Sequence, residues 1–278
     1  MNKYQLWLDT RSKSQRGDLH VQQQDLLPPQ YAEPIVLDPA MTANAAVHAI
    51  LNNTFKHLLP NATALACGFY NSEHVHQARV AIRRMRSALS CYARLTHDIP
   101  PHWAAQLRII FQSLGTARDT DAIRETLLPQ LQEAGCAHLD IPTPESYHNQ
   151  VMWIFQSTET NQLILELMNY VTSEPSSKNK KKKSFQHYAE KNLKTTHQRI
   201  AHDIGHFSQL EDEEKHKLRK RFKHLRYNIE FVRSLYSNKA VKHYLKAIKP
   251  IQELLGQYND LLVAEQFFHE LPENEEIH

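Results

Sequence analysis

The scarcity of glycine constrains this chain more than any other feature of its sequence. Six glycines occur in 278 residues, at positions 17, 68, 115, 135, 205 and 256, where an average usage of about 7% would supply roughly twenty. No two stand close enough to form G-x-G-x-x-G or G-x-x-x-x-G-K-[ST], so phosphate cradles of the Rossmann and P-loop kinds are excluded. Any phosphate must then be held by side chains or helix ends. An all-β barrel or sandwich would need more turn glycines, and runs rich in Ala, Leu, Gln, Glu, Lys and Arg point to helices. The expected class is all-α. The length exceeds what one hydrophobic core usually organises, so two subdomains are expected.

The net charge of +3 is modest, but its distribution is uneven. Basic residues concentrate in two short windows, and acidic residues at 211 to 214 and 270 to 276. The 18 histidines add positive charge as pH falls through neutrality, so the expected partner is anionic. Cys67, Cys91 and Cys136 are an odd, widely spaced set with no C-x-x-C, which argues against a disulfide framework or zinc ribbon. Reduced thiols suit the cytoplasm. No export signal stands in Met1 to Leu8, and no eighteen apolar residues run together; a soluble, cytoplasmic chain is expected, without a membrane partner.

Residues 1 to 40 read as irregular or short extended structure, punctuated by Pro28, Pro29, Pro34 and Pro39. Periodicity and caps then predict helices from Thr42 to a stop at Pro60, from Ser72 to about Thr96, and from Pro100-Pro101 to Leu114. A further helix is expected at about 118 to 134, followed by a linker from Gly135 to Pro144. Helical patterns continue at about 145 to 172, 185 to 208, 211 to 236, 239 to 255 and 258 to 271. A lysine-rich loop, 173 to 184, interrupts them with Lys178, Lys180, Lys181, Lys182 and Lys183. Such a block reads as a solvated loop, with an auxiliary anion-capturing arm as the alternative.

One internal repeat stands out. His76, Arg79, Arg83, Arg84, Arg86 and Leu89 precede His216, Arg219, Lys223, His224, Arg226 and Ile229 by a constant 140 residues, and Arg108, Leu114, Gly115 and Asp119 precede Lys249, Leu255, Gly256 and Asp260 by 141. The chain reads as a duplicated helical unit, with copies at about 41 to 135 and 145 to 271. At about 100° per residue, Arg79, Arg83 and Arg86 fall within about 80° of His76 on one stripe of a helix. Ile82, Met85, Leu89, Ala81 and Ala88 form the apolar face beside it. The second copy repeats this with His216, Arg219, Lys223 and Arg226 against Leu218, Phe222, Leu225 and Ile229. Like charges on one stripe repel unless something anionic answers them. Internal carboxylates are one answer: Asp119, Asp121, Asp260 and Glu230. A bound polyanion lying between two facing stripes is the other, and arginine forks suit phosphate oxygens.

The run His76-Gln-Ala-Arg79-Val80-Ala-Ile-Arg83-Arg84-Met-Arg86-Ser-Ala-Leu89, followed by Leu114-Gly115-x-x-Arg118-Asp119-x-Asp121, resembles the CHAD family, the conserved histidine α-helical domain. His216-x-Leu218-Arg219-x-x-x-Lys223-x-Leu225-Arg226-Tyr227-x-x-Glu230-Phe231, with Leu255-Gly256-x-x-Asn259-Asp260, is similar to that family's second half. The resemblance spans about 41 to 271. It implies two antiparallel four-helix bundles related by pseudo-twofold symmetry around a basic central cavity that binds inorganic polyphosphate, and an association with polyphosphate granules. Ser12-Lys13-Ser14-Gln15-Arg16-Gly17-x-Leu19 is similar to the closing strand of the CYTH triphosphate tunnel domain. Without a barrel before it, that segment reads as a packing strand or linker, and triphosphatase activity is not implied.

The expected ligand set is His76, Arg79, Arg83, Arg84, Arg86 and Arg108 from the first copy with His216, Arg219, Lys223, Arg226, Tyr227 and Lys249 from the second. Lys180, Lys181, Lys182 and Lys183 are secondary. Asp119, Asp121, Glu230 and Asp260 are expected to cap helices or orient cations rather than hold Mg²⁺. His202 and His206 have an i, i+4 spacing that can grip zinc, but the first lacks a neighbouring Glu and a glycine interrupts the turn, so neither a metal nor another cofactor is expected. Tyr92, Trp103 and Trp153 read as core. The chain is thus expected to bind polyphosphate without catalysis. A nucleic-acid-binding helical module and a metal-dependent phosphohydrolase are the alternatives; oligomeric state is left open.

Overall fold

The structure, a computed structural model, describes residues 27–115, 129, 133, 145–175 and 184–270. Among these, every regular element is helical. In chain order they are α1 (Ala43–Cys67), α2 (Ser72–Tyr92), α3 (His102–Ser113), α4 (Glu145–Gln156), α5 (Thr158–Thr172), α6 (Phe185–Gly205), α7 (Asp212–Val232) and α8 (Asn238–Glu270), with short 3₁₀ turns after α2, α6 and α7. The expected helix at 118 to 134, the 135 to 144 linker, most of the lysine-rich loop and the CYTH-like segment lie outside the described residues.

Several boundaries follow from local chemistry. Thr42 caps α1 by accepting from the Ala45 N–H, and Gly68 ends it in the left-handed region at φ 75°, where a side chain would be strained. Asn71, one residue before the expected start, caps α2 through the His74 N–H. Glu211 caps α7, and Asp212, Glu213 and Glu214 in its first turn complement the positive helix end.

Three expected boundaries are corrected. Pro60 lies inside α1 rather than ending it. The carbonyl that loses its partner belongs to exposed Lys56, where water can replace the bond, and the flanking turns are held by buried Phe55, Leu58, Leu59 and Ala62. Pro250 and Gly256 likewise sit within the 33-residue α8, which joins the two segments expected at 239 to 255 and 258 to 271. Conversely, the single pattern from 145 to 172 divides at Ser157, whose side chain accepts from the Thr160 N–H and starts α5.

The largest core joins α1, α2 and α3 to α4, α5 and the start of α6, with Phe55, Leu65, Ile82, Met85, Trp103, Leu107, Phe155 and Leu167 among its members. A second, smaller core holds Ile200, Leu218, Phe222, Leu225, Ile229, Val241, Ile248 and Leu255 from α6, α7 and α8. The two cores divide along α6, since Phe185 and Ala189 belong to the first and Ile200 to the second. α7 spans the junction, because Tyr227, Phe231 and Val232 at its end pack with the first core. The irregular segment before α1 is tied across the same junction, with the Leu37 N–H donating to Ser234 Oγ at 2.8 Å. Tyr92 and Trp103 are buried as expected, whereas Trp153 is 65% exposed on α4.

Candidate functional site: the basic junction of α2 and α7

The site forms because α2 and α7 each carry a basic stripe beside an apolar face, and packing the two helices together leaves the stripes side by side. Cys91 on α2 fixes the contact at one end, its Sγ 3.0 Å from His224 Nε2 on α7 and 3.4 Å from Asn192 Oδ1 on α6. Burial pushes this thiol up to about 12 and His224 down, so the pair is neutral and structural.

On the α2 side, Phe111 of α3 gathers the arginines. The guanidinium carbons of Arg79, Arg83 and Arg86 lie 4.5, 5.2 and 5.6 Å from its ring centroid, within cation–π range. Arg79 is 8% exposed and also donates to the Phe111 carbonyl at 3.4 Å. Arg86 is pulled down from its usual range, first by burial and then by Arg108 and Arg83. Arg108 is exposed on α3. Half-buried His76 lies close enough to His57 to depress it slightly, although burial dominates in taking His57 to about 4.

On the α7 side, Lys223 meets the first stripe. Its ammonium is depressed from 10.5 to about 7, first by burial, then by Arg83 across the junction and Arg219 beside it, with Arg79 adding a smaller effect; Asp260 on α8 acts in the opposite sense. Lys220 is also lowered by burial and then by Arg86, Arg108 and Arg219, with Glu213 opposing. Arg219 Nη2 stands 3.7 Å from Asp260 Oδ1. His216 Nδ1 lies 2.6 Å from Asn259 Oδ1, and its imidazolium is disfavoured by burial first and then by Lys220. The sequence-derived stripes therefore meet through Arg79, Arg83, Arg86 and Arg108 on one side and Arg219 and Lys223 on the other.

Other expected ligands lie elsewhere. Arg84 is 3% exposed and turned into the core, donating to Asn53 Oδ1 at 3.0 Å with its guanidinium 5.4 Å from the Phe231 centroid. α2 is buried against α1 on one side and α7 on another, so a position beside the stripe is also interior. Tyr227, 8% exposed, belongs to the first core for the same reason. Arg226 is exposed, and its Nε donates to Glu230 at 2.9 Å. Lys249 is exposed on α8 and pairs with Glu253 at 3.4 Å. Glu230 and Asp260 thus each lie beside a cation; Asp119, Asp121 and Lys180 to Lys183 lie outside the described residues. The His202 and His206 rings lie tilted at 33° with centroids 4.7 Å apart, and His206 Nδ1 lies 2.9 Å from the His202 carbonyl oxygen.

Two participants were missed in the sequence. Lys220 lies about 40° from His216 on the same stripe, but Val80 stands 140 residues before it, so the repeat passed over it. Phe111 carries the helical spacing of a core residue, and nothing in sequence marks its ring as the base for three arginines. A separate cavity of about 500 Å³, lined by His48, Asp98, Trp103, Glu166 and Tyr170 among others, is unsuited to phosphate. Its Glu166 already accepts from Trp103 Nε1 at 2.8 Å, and the carboxylates there repel anions.

The CHAD domain family model matches residues 49–269, and the chain belongs to that family. Among solved structures it is similar to the crystal structure of the CHAD domain from the plant Ricinus communis, at 25% sequence identity and a TM-score of 0.70, covering 89% of this chain and 85% of that one. No curated protein matches it.

Proposed function

We propose that the junction of α2 and α7 binds inorganic polyphosphate as a noncatalytic module, with Arg79, Arg83, Arg86, Arg108, Arg219, Lys220 and Lys223 as its phosphate contacts and His76, His216 and Lys249 at its margins. The observation that carries this reading is Lys223. Lys223 is lowered to about 7 by its burial first and then by Arg83, Arg219 and Arg79, with Asp260 acting in the opposite sense, so among the described residues cations of both stripes crowd one place. A dense, flexible polyanion relieves that repulsion along both stripes at once. Guanidinium forks from both helices, with the ammonium groups of α7, suit repeating phosphate oxygens. Contacts of this kind read charge density rather than sequence.

We read the site as binding without cleavage; among the described residues, the carboxylates beside the stripes, Asp260 and Glu230, are engaged by Arg219 and Arg226. We further read the stripes as the duplicated copies at 41 to 135 and 145 to 271. Competition tests the ligand class: unlabelled polyphosphate should displace a fluorescent polyphosphate far better than single-stranded RNA of equal charge. Preferential displacement by RNA would favour a nucleic-acid module, and phosphate release with Mg²⁺ or Mn²⁺ would favour a phosphohydrolase.

A further inference from the structure

The two stripes are not equivalent. In the first half, one phenyl ring stands behind three guanidiniums, at 4.5, 5.2 and 5.6 Å from their central carbons. The position 141 residues later, in register with the Gly115 and Gly256 pair, is Gln252. Its amide donates to the Phe222 carbonyl at 3.1 Å and offers no aromatic face to Arg219 or Lys223. The second stripe is held instead by polar contacts at its N-terminal end, His216 with Asn259 and Arg219 with Asp260.

We propose that Phe111 is a positioning residue for the polyanion site: its ring gathers Arg79, Arg83 and Arg86 into a preformed fan, making the first half the rigid anchor of the site and the second half its adjustable side. This rests on the reading of the junction as a polyphosphate site.

The physical basis is the cost of ordering. A free arginine carries several rotatable bonds, and three of them on one helix stripe repel one another. The negative face of an aromatic ring attracts each guanidinium and offsets part of that repulsion. Arg79 is fixed further by its bond to the Phe111 backbone carbonyl, which survives any change of side chain. The arginines are therefore partly immobilised before ligand arrives, and a phosphate chain need not supply that ordering. A cation–π contact uses no hydrogen-bond donor, so the ring does not compete with phosphate oxygens for guanidinium N–H groups.

The test compares wild type with Phe111→Leu, which keeps an apolar side chain but removes the ring, and Phe111→Tyr, which restores it. Titration with polyphosphate of defined length is expected to show about a tenfold loss of affinity for Phe111→Leu, within the ordering cost of three rotamer-rich side chains, and recovery in Phe111→Tyr. The slope of log affinity against log salt should be unchanged, because no phosphate contact is removed. Arginine side-chain NMR of the unliganded proteins supplies a second readout: ring-current shifts at the Arg79, Arg83 and Arg86 Nε–H groups should vanish in Phe111→Leu and return in Phe111→Tyr. Equal affinity of wild type and Phe111→Leu, or ring-current shifts absent from wild type, overturns the positioning role while leaving the polyphosphate reading standing. Failure of wild type itself to bind overturns that reading, and the positioning role with it. Loss of binding in both variants with loss of helicity would make Phe111 a core residue and overturn the proposal.

Discussion

Lys223 makes binding at the junction dependent on pH, with a sign fixed by its surroundings. Burial, Arg83 and Arg219 lower its ammonium from 10.5 to about 7 in the free protein, and Arg79 adds to the effect against Asp260. A phosphate chain lying along the stripes brings negative charge to the same place and raises that value. Binding then takes up a proton, and affinity falls as pH rises through the window between the free and bound values. Full restoration to 10.5 would make affinity at pH 9 about a hundredfold weaker than at pH 6; restoration only to about 8.5 gives about twentyfold. His216 is lowered from 6.5 and Lys220 from 10.5, so each adds a dependence of the same sign. Stability carries the complementary effect. The unfolded chain holds the Lys223 proton up to about 10.5 and the folded chain only to about 7, so folding becomes more favourable as pH rises through that interval. The corresponding cost below pH 7 is up to about 5 kcal/mol. The assay is calorimetric titration of wild type and Lys223→Met at pH 6, 7, 8 and 9, at fixed ionic strength and in two buffers of different ionisation enthalpy. Proton uptake and the steep fall between pH 7 and 9 should be present in wild type and largely absent in Lys223→Met. The same slope in both proteins would refute the assignment to Lys223, because the ligand's own titration is common to the two.

Three further outcomes follow from the geometry. Seven basic contacts at a slope of roughly 0.7 each should make log affinity fall by about 5 per log unit of salt, and a slope below about two would be too shallow for two stripes acting together. Arg84→Ala should lower the denaturant midpoint, by about 3 kcal/mol in stability, because Asn53 and His57 lose a buried partner, yet leave polyphosphate affinity nearly unchanged; the reverse pattern in urea melts and titrations would return Arg84 to the ligand set. Cys91, raised to about 12, should react with a thiol reagent at neutral pH far more slowly in native protein than in urea, and equal rates would contradict its burial at the α2–α7 contact.

The basic stripes were legible because helical periodicity is indifferent to the rest of the fold. His76, Arg79, Arg83 and Arg86 share a face whatever packs behind them, and the same holds for His216, Arg219 and Lys223. A helical wheel with one apolar face could not show that α2 is interior on two sides. Arg84 and Tyr227 therefore read as ligands, although both are buried. Pro60 read as a stop because proline costs about 3 kcal/mol in an isolated helix; tertiary packing of the neighbouring turns offsets that in α1, and α8 likewise continues past Gly256, where a break was expected. Ser157 left a signal, a capping serine followed by Thr158 and Glu159, but continuous apolar periodicity on both sides outweighed it. Lys220 was hidden by reading the repeat residue for residue, although its own angle placed it beside the stripe.

The most direct test of the binding site is calorimetric titration of defined-length polyphosphate into wild type and into Arg83→Glu combined with Lys220→Glu, one reversal on each side of the junction. Wild type should bind with a steep salt dependence, and the double variant should show no measurable heat of binding while keeping wild-type helicity. Undiminished binding by a folded double variant would place the polyphosphate site elsewhere on the molecule.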